Sequence, residues 1–325
     1  MFSFPTTRMT AAARSAPLPA YADSPARQSL VYCLVFLIAI LSQSILQIPF
    51  VIWHLIATDA LQNLASLDTA AISDAIAQAM HHLMPARLYT TLGTIAVCLI
   101  YCRRVEKRSF FSMGFVKKGA VAEYAAGLGI GLAMFGLAVG ICIATGHMTL
   151  TLSPAPAYGM LLLYFLGYLI QGMSEEILCR GFLMASMQRN CPTWAAVLMN
   201  SLIFTLLHLG NPGVTPLALV NLALFGVFAS IYTLRRGSIW GIGAIHAVWN
   251  FAQGNLFGIS VSGIAGNPSL LTAATSEGGS FMHGGAFGME GGVAVTAVMV
   301  MGCIVMLMMG TKKGELAESS PKEQI

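Results

Sequence analysis

The sequence predicts an all-α polytopic membrane protein with eight transmembrane helices and both termini cytoplasmic, and three observations point there. The chain is 56% hydrophobic and only 9% charged, with a mean hydropathy of +0.74, whereas about a quarter of the residues of a soluble domain are charged. Crossing a hydrocarbon layer of roughly 30 Å takes about 20 mostly apolar residues, and eight segments approach that: 29–53, 86–102, 121–145, 158–188, 192–208, 214–234, 238–257 and 291–309. Basic residues then fall on alternate connections, as the positive-inside rule requires. The N-terminal arm, the stretch "RRVEKRSFFSMGFVKK", the end of the fourth segment, "RRG" at 235–237 and the C-terminal tail together hold 16 of the 17 Lys and Arg, leaving Arg87.

Residues 1–28, rich in Pro, Ala and Ser, read as a disordered cytoplasmic arm. A signal peptide has an apolar core of only about 7–15 residues; Leu30 to Trp53 is longer and uncharged, so it reads as a retained first helix. Residues 29–120 form an N-terminal transmembrane pair with its loops. The second segment is the weakest, because only Leu88 to Cys102 is free of charge and "HHLMPAR" must extend it. Before it, the loop 54–85 has the composition of an amphipathic surface helix. Residues 121–257 are the core that carries the chemistry. The outer loop 258–290 has too much Gly and Ser for a regular helix and is expected to be a coiled or re-entrant lid. Residues 291–325 hold a Met-rich last helix and a cytoplasmic tail.

Several functions are disfavoured at this level. The seven cysteines lie mostly inside predicted spans and form no C-x-x-C pair, so neither a disulfide framework nor a thiolate metal site is indicated. There is no inverted pair of broken helices of the kind that marks many carriers. The basic residues are explained by loop orientation, and the lipid bilayer, not nucleic acid, is the expected partner.

Ionisable groups within a span cost some 2.5–3.5 kcal/mol and face a partner or a cavity. Few occur here. The fourth segment has Gln171, Glu175, Glu176 and Arg180; the fifth has Asn200 and His208; the sixth has Asn221; the seventh has His246, Asn250 and Gln253. Residues four apart stack on one helix face, which pairs Glu176 with Arg180 in the favourable order. Glu175 is turned away by about 100° and stacks with Gln171 and Cys179 instead. It has no local counter-charge, which makes it the candidate general base. Phe204 and His208, and His246 and Asn250, are also spaced by four. Three helices can thus turn one polar face each to a shared point, the layout of a hydrolytic site.

The stretches "EEILCR" at 175–180, "FTLLH" at 204–208 and "HAVWN" at 246–250 resemble the EExxxR, FxxxH and HxxxN motifs of the CAAX protease and bacteriocin-processing family of glutamyl intramembrane endopeptidases. All three occur in order, and the resemblance covers roughly residues 120–257. It implies a site within the bilayer where Glu175 activates a water, His208 positions it, and His246 and Asn250 hold the nucleophile and the developing oxyanion. Glu176 and Arg180 would brace the site. Phe204 reads as a packing shelf beneath it. The resemblance further implies no required metal or cofactor, a location in the cell membrane, and a membrane-associated peptide or lipidated protein as substrate. One Glu and two His are a conceivable zinc set, but the H-E-x-x-H signature is absent. The alternative is a non-proteolytic membrane scaffold or bacteriocin-immunity factor on the same fold, and a carrier using midplane charges is a third reading.

Overall fold

The computed structural model describes residues 7–57, 83–266 and 268–309, and these are mostly helical. A helix occupies each of the eight predicted segments: α2 (Pro25–Ala57), the pair α3 (Met84–Thr90) and α4 (Leu92–Arg104), α5 (Ala120–Ala144), α6 (Tyr158–Glu176), α7 (Thr193–Leu206), α8 (Pro216–Arg236), α9 (Trp240–Phe251) and α11 (Val293–Met308). Among the described residues, five helical runs are long and apolar enough to cross a membrane: Pro25–Ala57, Met84–Arg104, Ala120–Ala144, Tyr158–Met187 and Pro216–Arg236. The chain is a multi-pass membrane protein. α7 and α11, with 14 and 16 residues, are about 21 and 24 Å long at 1.5 Å per residue, short of the full layer. α9 differs again, because every residue from Gly241 to Asn250 is buried. It is a central helix wrapped by its neighbours.

Small residues make that wrapping close. Gly131 of α5 faces α9, where a Cβ would lie 2.7 Å from the Ile245 carbonyl oxygen, and Gly172 of α6 faces it from the other side, with Ala247 N at 2.6 Å. Gly127 and Gly131 form a G-x-x-x-G stripe along α5, the spacing that lets two helix backbones approach in lipid. Polar side chains join the other helices. Gln43 and Gln47 of α2 donate to Thr94 and Thr90 at 2.6 and 3.2 Å, and Asn200 of α7 donates to Ser230 of α8 at 3.0 Å.

The N-terminal arm departs from the expectation of disorder over residues 7–28. α1 (Arg8–Ser15) begins at Thr7, whose hydroxyl caps the helix by accepting from Thr10 N. Its Met9 and Ala13 are fully buried. Arg14 donates to the Gln188 carbonyl at 3.0 Å, and Arg189 donates to the carbonyls of Ala16 and Pro17. A short arm of this composition is ordered because Arg189 binds its backbone carbonyls and its own Arg14 binds the Gln188 carbonyl.

Beneath the arm lies a second charge cluster. Arg108 and Glu106, both fully buried, pair at 2.6 Å, and Arg189 reaches the other Glu106 oxygen at 3.4 Å. Burial works against the Arg108 charge, but Cys102 and Glu106 beside it more than offset this and hold its pKa above the ordinary arginine value. The α6 run continues as a π-helical segment, Ile177–Met184, and Arg108 binds the carbonyls of Gly181 and Phe182 there, at 3.1 and 3.4 Å. Single π turns inside helices cluster at functional sites. A second one, Ala252–Leu256, follows α9.

The outer loop is more regular than the expected coil. β1 (Met148–Leu152) pairs antiparallel with β2 (Leu271–Thr275), Met148 opposite Thr275 and Leu152 opposite Leu271. After one helical turn, α10 (Ser280–His283), tight Gly turns return the chain to α11. Backbone amides that a glycine-rich coil would leave unpaired find partners in this two-stranded ladder. Most of the predicted 54–85 surface helix and the tail from Lys312 lie outside the described residues.

Because Gly172 meets Ala247 backbone, Gly172→Ala should lower stability by about 1–3 kcal/mol, the usual cost of overpacking, while Gly136→Ala, with nothing within 4 Å, should cost nothing. Thermal unfolding of the two purified variants in detergent checks this.

Candidate active site

The site starts from one buried carboxylate. Glu176 closes the last α-helical turn of α6, and its Oε1 accepts from Arg180 Nη1 at 3.0 Å; both side chains are fully buried. His246 Nδ1 lies 2.9 Å from the same oxygen. Arg180 also donates to the Gly226 carbonyl of α8 at 3.0 Å. Its guanidinium stands 5.1 Å over the Phe204 ring of α7, a cation–π contact. One ion cluster therefore touches four helices.

Glu175 sits beside it, one-quarter exposed, with Oε2 3.6 Å from His246 Nε2. That separation is too long for a direct hydrogen bond. The other oxygen, Oε1, accepts from Gln171 Nε2 at 2.5 Å. Gln171 in turn accepts from Asn250 Nδ2 at 3.1 Å, so a side-chain chain runs Glu175–Gln171–Asn250 from α6 to α9. His246 bridges the two glutamates, which spacing along single helices does not reveal. The pairing of Glu176 with Arg180 alone is thus incomplete: His246 is its second partner.

Phe204 is 2% exposed, with ring centroids 5.0 Å from His208 and 6.0 Å from His246. His208 follows the end of α7, and its Nδ1 lies 2.9 Å from the Phe204 carbonyl oxygen, leaving Nε2 free of that contact. Glu175, His208, His246 and Asn250 all line one cavity of about 330 Å³. All seven residues singled out by sequence are therefore gathered at this cavity or directly beneath it. Glu175 and His246 could offer two ligands to a metal, but among the described residues no group of three His, Cys, Asp or Glu is arranged to hold one.

Sequence reasoning missed two features. Gln171 was grouped with Glu175 by face, but its link to Asn250 needed the packing of α6 on α9; the signal available was the G-x-x-x-G stripe and Gly172. Glu290, which lies just outside the predicted spans, also lines the cavity.

The site thus consists of a carboxylate pair braced by arginine, a histidine between the two acids and an amide on the next turn, an arrangement that suits hydrolytic chemistry. Residues 157–252 match the family model described as type II CAAX prenyl endopeptidase, Rce1-like. This segment carries all three motifs, and over it the chain is similar to that family of proteases. No curated protein and no solved structure matches the chain.

Removing one partner of a buried ion pair leaves the other uncompensated, which costs about 3–5 kcal/mol. Arg180→Leu should therefore destabilise strongly, and the double variant Glu176→Leu/Arg180→Leu should lose less than Arg180→Leu alone. Melting temperatures of both in detergent test that order.

Proposed function

We propose that the protein is an intramembrane endopeptidase that hydrolyses a peptide bond of a membrane-associated peptide or lipidated protein through a water activated by Glu175. The observation that carries this reading is the 3.6 Å separation of Glu175 Oε2 and His246 Nε2 in the cavity that Asn250 and His208 also line. Two acceptor-capable atoms at that separation suit a bridging water.

His246 donates from Nδ1 to Glu176, which fixes the ring and leaves Nε2 as an acceptor facing Glu175. Glu175 takes a proton from the water as its oxygen attacks the carbonyl carbon of the substrate. The second N–H of the Asn250 amide is the donor for the resulting oxyanion, and His208 helps to position the water. The protonated Glu175 then gives its proton to the departing nitrogen, yielding a new carboxyl end and a new amine. Gln171 holds Glu175 and Asn250 in register throughout. Arg180 and Glu176 act as positioning residues, through His246. The same reading includes eight membrane crossings with both termini cytoplasmic, the short helices α7, α9 and α11 counted among them, and residence in the cell membrane.

Glu175→Gln should abolish turnover with the melting temperature unchanged, since glutamine keeps the bond from Gln171 but cannot take a proton. Asn250→Ala should lower kcat by about 10²–10³, the usual loss for one oxyanion donor. Cleavage by the purified chain in liposomes, followed by mass spectrometry of new peptide ends, measures both.

A further inference from the structure

The cavity has a second carboxylate, contributed by the Gly-rich connection that precedes α11. Glu290 is 9% exposed and lines the same cavity as Glu175 and Asn250. It is held by its Oε2, which accepts from Ser262 N at 2.9 Å and Ser262 Oγ at 2.6 Å. Among the described residues Oε1 receives no hydrogen bond.

The wall around it is built to stay in place. Asn221 of α8 donates to the carbonyls of Glu290 and Gly292 at 2.8 and 2.9 Å, and Asn211 donates to the Ser262 carbonyl at 3.0 Å. Ser262 itself has φ 47°, a left-handed conformation uncommon for a residue with a side chain. The loop adopts it where its amide and hydroxyl both reach one carboxylate oxygen.

Charge compensation sets Glu290 apart. The other buried carboxylates among the described residues each have a guanidinium: Glu106 has Arg108 and Arg189, and Glu176 has Arg180. Glu175 has His246. Glu290 forms no ion pair with a described residue, although Arg87 lines the same cavity. A desolvated carboxylate without a cation is costly, and two hydrogen bonds from serine offset only part of that. A positive group entering the cavity would supply the remainder.

We propose that Glu290 is a specificity-determining residue that receives an ammonium or guanidinium group of the substrate, a Lys or Arg side chain at a fixed distance from the bond cut at Glu175. The subsite rests on the endopeptidase reading above and adds to it which peptides are accepted. It belongs to this chain's own loop, outside the segment 157–252 that matches the family model.

Cleavage-site profiling tests it. The full chain, purified in detergent, is incubated with a proteome-derived peptide library, and the products are sequenced by mass spectrometry. Wild type is expected to enrich Lys or Arg at one position by about tenfold, the low end of what a close charge pair contributes in a desolvated interface. Glu290→Gln, whose carbonyl can keep the Ser262 bonds, should erase that enrichment, and Glu290→Lys should replace it with Asp or Glu. A merely structural role would change overall turnover and leave the profile alone. The subsite is overturned if wild type cleaves without a basic preference, or if the preference persists in either variant. No cleavage by wild type, or equal cleavage by Glu175→Gln, overturns instead the endopeptidase reading and the subsite with it.

Discussion

Everything near the site hangs on the single oxygen of Glu176 that accepts from both Arg180 and His246. A carboxylate with no exposure must be compensated, because an isolated buried charge costs several kcal/mol even after relaxation. Arg180 supplies the charge from the next turn of the same helix, and its Nη2 reaches across to the Gly226 carbonyl. His246 then has one ring nitrogen committed and one left over. The position of that second nitrogen, and hence the gap to Glu175, follows from satisfying Glu176.

Backbone packing gives this cluster its precision. α9 can bring His246 and Asn250 to α6 only because Gly172 and Gly131 let two neighbours approach it without side chains between them. The π-helical segment after Glu176 shifts the hydrogen-bonding pattern of α6, and Arg108 binds two carbonyls within it. Arg108 is itself held by Glu106, which Arg189 and the Tyr32 hydroxyl also contact. The arm in turn is bound through Arg189 and Arg14. The end of the chain that looked least structured is therefore connected, through backbone carbonyls and one ion cluster, to the helix that carries both glutamates.

The helical segments and the residues that gather at the cavity were legible in the amino-acid pattern, because the cost of charge in an apolar helix leaves few polar residues to interpret and a spacing of four sorts them into faces. The cross-helix contacts were not legible. His246 bridging two glutamates and Gln171 joining Glu175 to Asn250 depend on how α6 and α9 cross, which the spacing along either helix does not contain. The arm was misread because its order comes from Arg14 and Arg189 binding carbonyl groups over 170 residues away in sequence, not from its own composition. Loop 258–290 was misread for a related reason: β2 becomes a strand only by pairing with β1, more than 100 residues earlier. Family resemblance extended the reading to chemistry over the motif-bearing segment and gave no view of Glu290.

The central claim is that the oxygen entering the new carboxyl end comes from a water activated by Glu175, with no covalent enzyme intermediate. Cleavage of a membrane-inserted peptide by the reconstituted chain in H₂¹⁸O for a single turnover, with mass spectrometry of both the product and the intact protein, tests it most directly. The account predicts one ¹⁸O atom in the new carboxyl group in that first turnover and no mass added to the protein. A peptide-sized adduct on the protein, or a first-turnover product without ¹⁸O, would contradict it.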